Sequence, residues 1–385
     1  MKTEFKKYET YVGNVETMLR YCGLWPVVVN RTISRSLSFL AFITTFSTML
    51  SVLNFCYHHS NNIIVLTKGA GLAISLCTAC LKVCIFVYHQ QDLLYLHENL
   101  TTRYLMDMKD VNNRARLLNR VSLYSKFFWI GTVAAFATIA LYASISFIAW
   151  AKYGKYVRVF PAIYPLVGKP TGLVHWAFYV YEMTTGLYLS FVTVAVDCCF
   201  GMYSMQMCGL FRVLSDRFRN LKSDRDYKMN IKDCIQRHHT LYTSKRKLEN
   251  LFGILAIWFA VTAAVVLCTL IFQFTQTIKM RTTWLQLGLL TLYFLLKCLQ
   301  AFSFSVYGNA ITVESTLCLD AAYNAHWPDL YNVSLKNDIL IILAQKPITL
   351  VAKGCMLIQL EMFAKIINTS VSYFFLLQTL EEGSR

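Results

Sequence analysis

The sequence predicts an all-α membrane protein with seven transmembrane helices. Two observations require it. The chain's 385 residues are 56% hydrophobic and only 15% charged, far from the averages of soluble domains. The apolar residues also run in long charge-free stretches, with none of the strict alternation a barrel strand needs. Open sheet edges cannot be satisfied in lipid, so helices remain. A third observation, the placement of Lys and Arg, orients the bundle with the N-terminus cytosolic and the C-terminus extracellular. With 6 Pro and 16 Gly, a disordered or collagen-like chain is excluded, and a soluble multidomain enzyme does not fit the composition.

The spans follow in order. Thirty-two residues without Asp, Glu, Lys or Arg separate Arg35 from Lys68, 25 separate Lys126 from Lys152, and 29 separate Glu249 from Lys279. Each run exceeds the roughly 20 apolar residues that cross a bilayer. They place S1 near 37 to 57, S3 near 127 to 150 and S5 near 250 to 278. Four spans are interrupted by charge: S2 near 63 to 88 (Lys68, Lys82), S4 near 173 to 200 (Glu182, Asp197), S6 near 283 to 307 (Lys297) and S7 near 362 to 380 (Lys365). The segments before S1, between S2 and S3, between S4 and S5 and between S6 and S7 carry 26 basic residues, and the opposite side carries 7. The first side is cytosolic by the positive-inside rule.

That orientation opposes the G-protein-coupled receptors, and the chain lacks Asp-Arg-Tyr after S3 and Asn-Pro-x-x-Tyr in S7. The formal charge of +16 sits beside anionic lipid and calls for no nucleic-acid partner. No apolar core precedes S1, so S1 itself is the expected insertion signal. Sequons at Asn30, Asn99 and Asn332 fall on the cytosolic side and Asn368 falls inside S7, so none should carry glycan.

Candidate chemistry is sparse. The outer loops hold none of the 13 Cys, which excludes a disulfide framework. Cys77, Cys80 and Cys84 share a helix face, but without His or acidic neighbours they read as packing residues rather than metal ligands. Phosphate-loop, dinucleotide, zinc-protease and serine-elbow motifs are missing. The chain is therefore expected to be no enzyme and to need no cofactor or metal. Charged residues inside spans are candidates for function. Lys68 and Lys82 lie near span ends and are expected to snorkel. Lys297 lies deeper and could pair with Asp197 or Glu182. Asp197 is expected in a structural salt bridge or cap. S7 is unusually polar: Thr369, Ser372, Leu376 and Thr379 form one stripe at helical spacing, with Leu380 at its edge. Hydroxyls around one bulky apolar ring suit a water-filled path with a dewetting gate; hydroxyls bonded back to helix carbonyls in a packed bundle account for the same residues.

Several motifs resemble the insect odorant receptors: Gly23-Leu24-Trp25-Pro26 before S1, Gly308-Asn309 in S6 with Ala321-Ala322-Tyr323 and Trp327 after it, Gln345-Lys346-Pro347, Leu360-Glu361-Met362-Phe363, and Ser372 to Leu377. The outer loop with Pro161, Tyr164-Pro165 and Pro170 and the inverted topology resemble theirs too. Ala352-Lys353-Gly354 departs from the family, which often has Gly before Lys. Gustatory receptors place Gln-Phe after five apolar residues, whereas four separate Tyr373 from Gln378 here. The obligate co-receptor has a larger S4–S5 segment than the 36 residues from Arg212 to Lys247, so the chain resembles a ligand-tuned subunit.

What the resemblance implies is an odorant-gated, non-selective cation channel in the plasma membrane of olfactory neuron dendrites. It is a heterotetramer with the co-receptor, without nucleic acid, in which each subunit gives S7 to a central pore. Residues 1–36 would form a cytosolic N-terminal segment and 37–200 the ligand-binding helices. Residues 201–360 would hold S5, S6 and a cytosolic helical anchor that includes a short helix near 335 to 345, with Arg212 to Lys247 facing water. Residues 361–385 would form the pore helix and a short outer tail. Small volatile apolar ligands would bind in the outer half among S2, S3, S4 and S6. The expected pocket residues are Ile74, Tyr142, Ser146, Trp150, Tyr179, Met183 and Tyr293. The expected pore residues are Ser372 and Thr379 with Leu376 as the gate. A gustatory-like channel and, in a different class, a secondary transporter are the alternatives; a transporter should show internal repeats, and none is visible.

Overall fold

The computed structural model describes residues 2–26, 31–164, 172–220, 227–279, 284–325 and 333–383. Asn30, Pro165, Lys169, Pro170, Trp327 and Asn332 lie outside them, as does the side chain of Leu380. The element order is α1 (Lys2–Tyr21), α2 (Arg31–His58), α3 (Ile63–Tyr88), α4 (Gln90–Tyr95), a π-helical turn (Leu96–Thr101), α5 (Thr102–Asp107), α6 (Val111–Leu117), α7 (Val121–Tyr153), α8 (Gly172–Arg219), α9 (Tyr227–Lys279), α10 (Trp284–Tyr323), α11 (Val333–Leu343), β1 (Val351–Ala352), β2 (Met356–Leu357) and α12 (Leu360–Gly383). Among them α2, α3, α7, α8, α9, α10 and α12 are long and apolar enough to cross a membrane. They are S1 to S7 in order. Local chemistry sets several ends. The Asn62 side chain accepts from Val65 N before α3, Asp110 does the same for Asn112 N before α6, and Gly154 ends α7 in the left-handed region at φ 60°.

Three spans are much longer than a bilayer requires. Helices α8, α9 and α10 have 48, 53 and 40 residues, which at 1.5 Å per residue makes them about 70, 80 and 60 Å long. The surplus lies on the side that the basic residues assign to the cytosol. There it extends the core, and α1 and α4 to α6 pack on it. Tyr11 donates to the Cys198 carbonyl at 2.8 Å, Thr101 to Gln206 at 3.0 Å, and Tyr8 stacks on Tyr104. The run from Cys198 to Leu210 is wholly buried. Charged residues at that depth are matched in pairs, Arg212 with Glu314 (2.6 Å) and Arg237 with Asp107 (2.6 Å), and nearer the surface Arg217 meets Asp233 (2.6 Å). The expectation that residues 212 to 247 simply face water is thus corrected for Arg212 and Arg237, which are largely buried because each has a carboxylate across a helix interface.

The link into α12 is a hairpin wedged between α9 and α10. Val351 pairs with Leu357 and Ala352 with Met356. Val351 N donates to Glu249 at 2.7 Å and Ile348 N to Ser315 at 2.7 Å. Gly308 is required where α10 crosses this link: a Cβ there would collide with the Ile358 carbonyl oxygen. The hairpin turns through Lys353 and Gly354, both at positive φ (46° and 75°).

Candidate functional site

After α7, residues 155–164 fold back into the bundle as a strap. Its backbone is held from three helices. Glu182 of α8, wholly buried, accepts from Val159 N (2.9 Å) and Phe160 N (3.1 Å) and faces the Arg158 guanidinium at 3.4 Å. Ser146 of α7 donates to the Val157 carbonyl, and Asn54 of α2 donates to the Ile163 carbonyl. Arg158 also lies over the rings of Tyr164 and Phe178 at 4.7 and 4.6 Å. A buried carboxylate costs far less once backbone donors and a cation satisfy it.

Beneath the strap, in the outer half, is a cavity of about 480 Å³, within the range of small-molecule sites. Its walls are apolar at Phe55, Ile145, Phe272, Leu289 and Leu290 and polar at Thr67, Lys68, Gln273 and Gln276. Tyr142 of α7 lines it, with its ring edge-on to Phe160 at 5.8 Å. One layer deeper, Tyr293 of α10 bonds Ser75 Oγ at 2.6 Å and donates to the Gly71 carbonyl at 3.2 Å. Its ring lies 5.5 Å from Lys297 Nζ. Below that, Lys82 and Asp197 form an ion pair at 2.5 Å, and Gln300 donates to the other Asp197 oxygen at 2.9 Å. A void of about 10 Å³ among Ile74, Ser75, Thr78, Lys297 and Gln300 separates these polar groups.

Helix α12 is bare by comparison. In its most apolar window only 17% is buried within the chain, against 67% for α8 and 22% for α2 and α7. Ser372, Leu376 and Thr379 are all exposed.

The family model described as "7tm Odorant receptor" matches residues 62–371. The chain belongs to the odorant receptor family. Odorant receptor Or2 of Anopheles gambiae is 30% identical to this receptor over 149 residues, 38% of each chain. The odorant receptor coreceptor of Aedes aegypti is 26% identical over 154 residues, 39% of this receptor and 31% of the relative. The aligned stretches therefore cover less than two thirds of either relative. The solved structure of the insect olfactory receptor OR5 from Machilis hrabei superposes with a TM-score of 0.80 at 14% identity, covering 96% of this receptor and 97% of that chain. The same receptor in complex with eugenol gives 0.82 at 15% identity, covering 97% and 98%. At such identity the likeness shows the fold.

Set against the sequence expectations, Tyr142 lines the outer cavity, while Tyr293 and Ile74 lie just below it. Ser146 ties down the strap. Trp150 packs edge-on to Trp176 at 4.9 Å, Tyr179 reaches the Ala143 carbonyl at 3.4 Å, and Met183 packs against the core. Among the described residues, α8 supplies no lining to the cavity and α9 supplies four. The signal for α9 was present: Gln273, Gln276 and Thr277 are polar residues at the outer end of an otherwise apolar run. Two charge expectations are corrected. Lys82 does not snorkel but is buried against Asp197, and Lys297 pairs with neither Asp197, which Lys82 holds, nor Glu182, which Arg158 and the strap hold. Ser372 and Thr379 donate to the Asn368 and Leu376 carbonyls of their own helix (3.0 and 2.9 Å) while staying on its exposed face.

Proposed function

We propose that this receptor is the ligand-tuned subunit of an odorant-gated, non-selective cation channel in the plasma membrane of olfactory dendrites, assembled with the co-receptor. The observation that carries it is α12. A membrane helix with hydroxyls on one face and little burial in its own subunit cannot enclose water alone, but helices grouped about an axis can. Leu376, 54% exposed, would then supply the apolar ring that gates by dewetting, with Ser372 and Thr379 on either side of it. Membrane lipid would cover the outward faces of α2 and α7. The exposed remainder of α8 to α10 and α11 would form the anchor between subunits. The receptor binds and gates; it is no enzyme and needs no cofactor.

A small volatile ligand would occupy the outer cavity. A structural relative was solved with eugenol, and this cavity has the apolar walls and few polar groups that such a molecule requires. Co-expression with a co-receptor in cells that lack both tests the proposal. Ligand-evoked cation current that neither subunit gives alone is expected. Transport of the ligand with no current would replace the channel by a transporter.

A further inference from the structure

We infer that the outer cavity selects odorants that end in an oxygen acceptor, a carbonyl or a carboxylate, and rejects protonated amines. This rests on the proposed role of the cavity as the odorant site. Among the described residues, no acidic side chain lines it, while three cationic or protonatable ones do: His59, Lys68 and Arg158. They differ in availability. Arg158 is committed to Glu182 and to the rings of Tyr164 and Phe178. His59 Nδ1 is bonded at 2.9 Å to the Phe55 carbonyl. Lys68 Nζ has no hydrogen-bond or ion-pair partner among the described residues.

An ammonium group has three donors and no acceptor. A ligand oxygen can therefore satisfy Lys68, and a ligand ammonium cannot. Two other polar groups of the wall do not reverse that bias. Thr67 donates to the Ile64 carbonyl, and Gln273 spends an amide donor on the Thr67 carbonyl at 2.8 Å. Gln276, Thr277 and Gln286 add uncharged polar groups, and the hydrocarbon of the wall comes from Phe55, Ile145, Phe272, Leu289 and Leu290. A molecule with an alkyl or aryl body and an oxygen head matches both halves. A cationic head meets like charge and finds no carboxylate in the lining, since Glu182 behind it is held by Val159 N, Phe160 N and Arg158, and like charges repel.

The test uses the full receptor with a co-receptor and a panel of six- to ten-carbon alkanes, aldehydes, acids and amines, read as current. Acids and aldehydes should be about tenfold or more potent over the matching alkanes, and amines weakest. Lys68→Met should remove that advantage, bringing acids and aldehydes to the potency of the matching alkanes. Lys68→Glu should invert acids and amines. Surface expression is measured for each variant. A wild-type preference for amines, or an unchanged order in Lys68→Met, overturns the inference. Leu289→Trp separates it from the reading beneath: if filling the cavity leaves all responses intact, the cavity is not the odorant site. If it abolishes them while the Lys68 variants keep the order, only the ligand class fails. Should no compound evoke current, melting of the purified receptor is the readout, and the absence of any stabilisation by acids or aldehydes counts against the inference.

Discussion

Single residues decide whether the outer cavity has a roof. Glu182 is the group on which the strap hangs, because its carboxylate satisfies two backbone N–H groups and the Arg158 side chain at once. Removing one partner of a buried pair strands the other, at a cost of about 3 to 5 kcal/mol. Glu182→Ala is therefore expected to lower the melting temperature and to abolish ligand-evoked current, and Glu182→Gln, which retains one acceptor oxygen, should do so less. An unaltered melt for Glu182→Ala would remove the strap from the account. The opposite sign is expected at Lys353, which sits at φ 46° where a β-carbon is strained by about 1 kcal/mol. Lys353→Gly should be neutral or stabilising by thermal melt, with current intact. Such residues mark the limit of sequence reading. Lys82 was expected to snorkel and is buried instead, whereas that Glu182 and Asp197 need partners was legible from their place in apolar runs. Which partners they take was not, since Lys82 and Asp197 are 115 positions apart and only the packing of α3 on α8 brings them together. The outer halves of S2, S3, S4 and S6 were expected in the pocket, and S4 supplies none of the described lining. The share taken by α9 and the strap depends on how the loop folds back, which no periodicity records.

At the scale of elements, the seven spans were legible because lipid demands uninterrupted apolar length, and each charge-free run became a helix. The overhangs were expected from the family resemblance alone, because beyond the membrane α8 to α10 continue as mixed polar and apolar sequence that satisfies itself across helices. Helix α12 depends on how it is seated. The Gly308 crossing fixes the link that aims it, so Gly308→Ala must push Ile358 away from α10. Loss of current exceeding any loss of surface expression is expected, since the displaced element carries the proposed pore. Leu376→Ser tests the gate directly: a polar ring should wet the constriction and raise current without ligand. Co-receptor helices could dominate a mixed pore, so the assay belongs in an assembly rich in this subunit. Unchanged basal current there would take Leu376 out of the gate.

For the whole molecule, the arrangement follows from where charge is tolerated. The largely buried Arg212–Glu314 and Arg237–Asp107 pairs engage the overhangs of α8 to α10, and 26 basic residues flank spans on that same side. A membrane-inserting chain retains that side in the cytosol. Asn99 reports on this. Its sequon lies in the π-helical turn, where the Asn99 amide donates to the Tyr95 carbonyl at 3.1 Å and Thr101 is buried against Gln206. Neither burial nor a cytosolic location permits glycan transfer, so Asn99 should stay bare in insect cells. Because an unused sequon alone means little, the positive control is a sequon built at the α7 to α8 connection. Gly154→Asn with Tyr156→Thr places asparagine at a left-handed position it tolerates on the opposite side of the membrane. A glycosidase-sensitive mobility shift is expected for that double variant and not for the wild-type chain. A shift in the wild type that Asn99→Gln removes would invert the topology, and with it the placement of the cavity toward the outside.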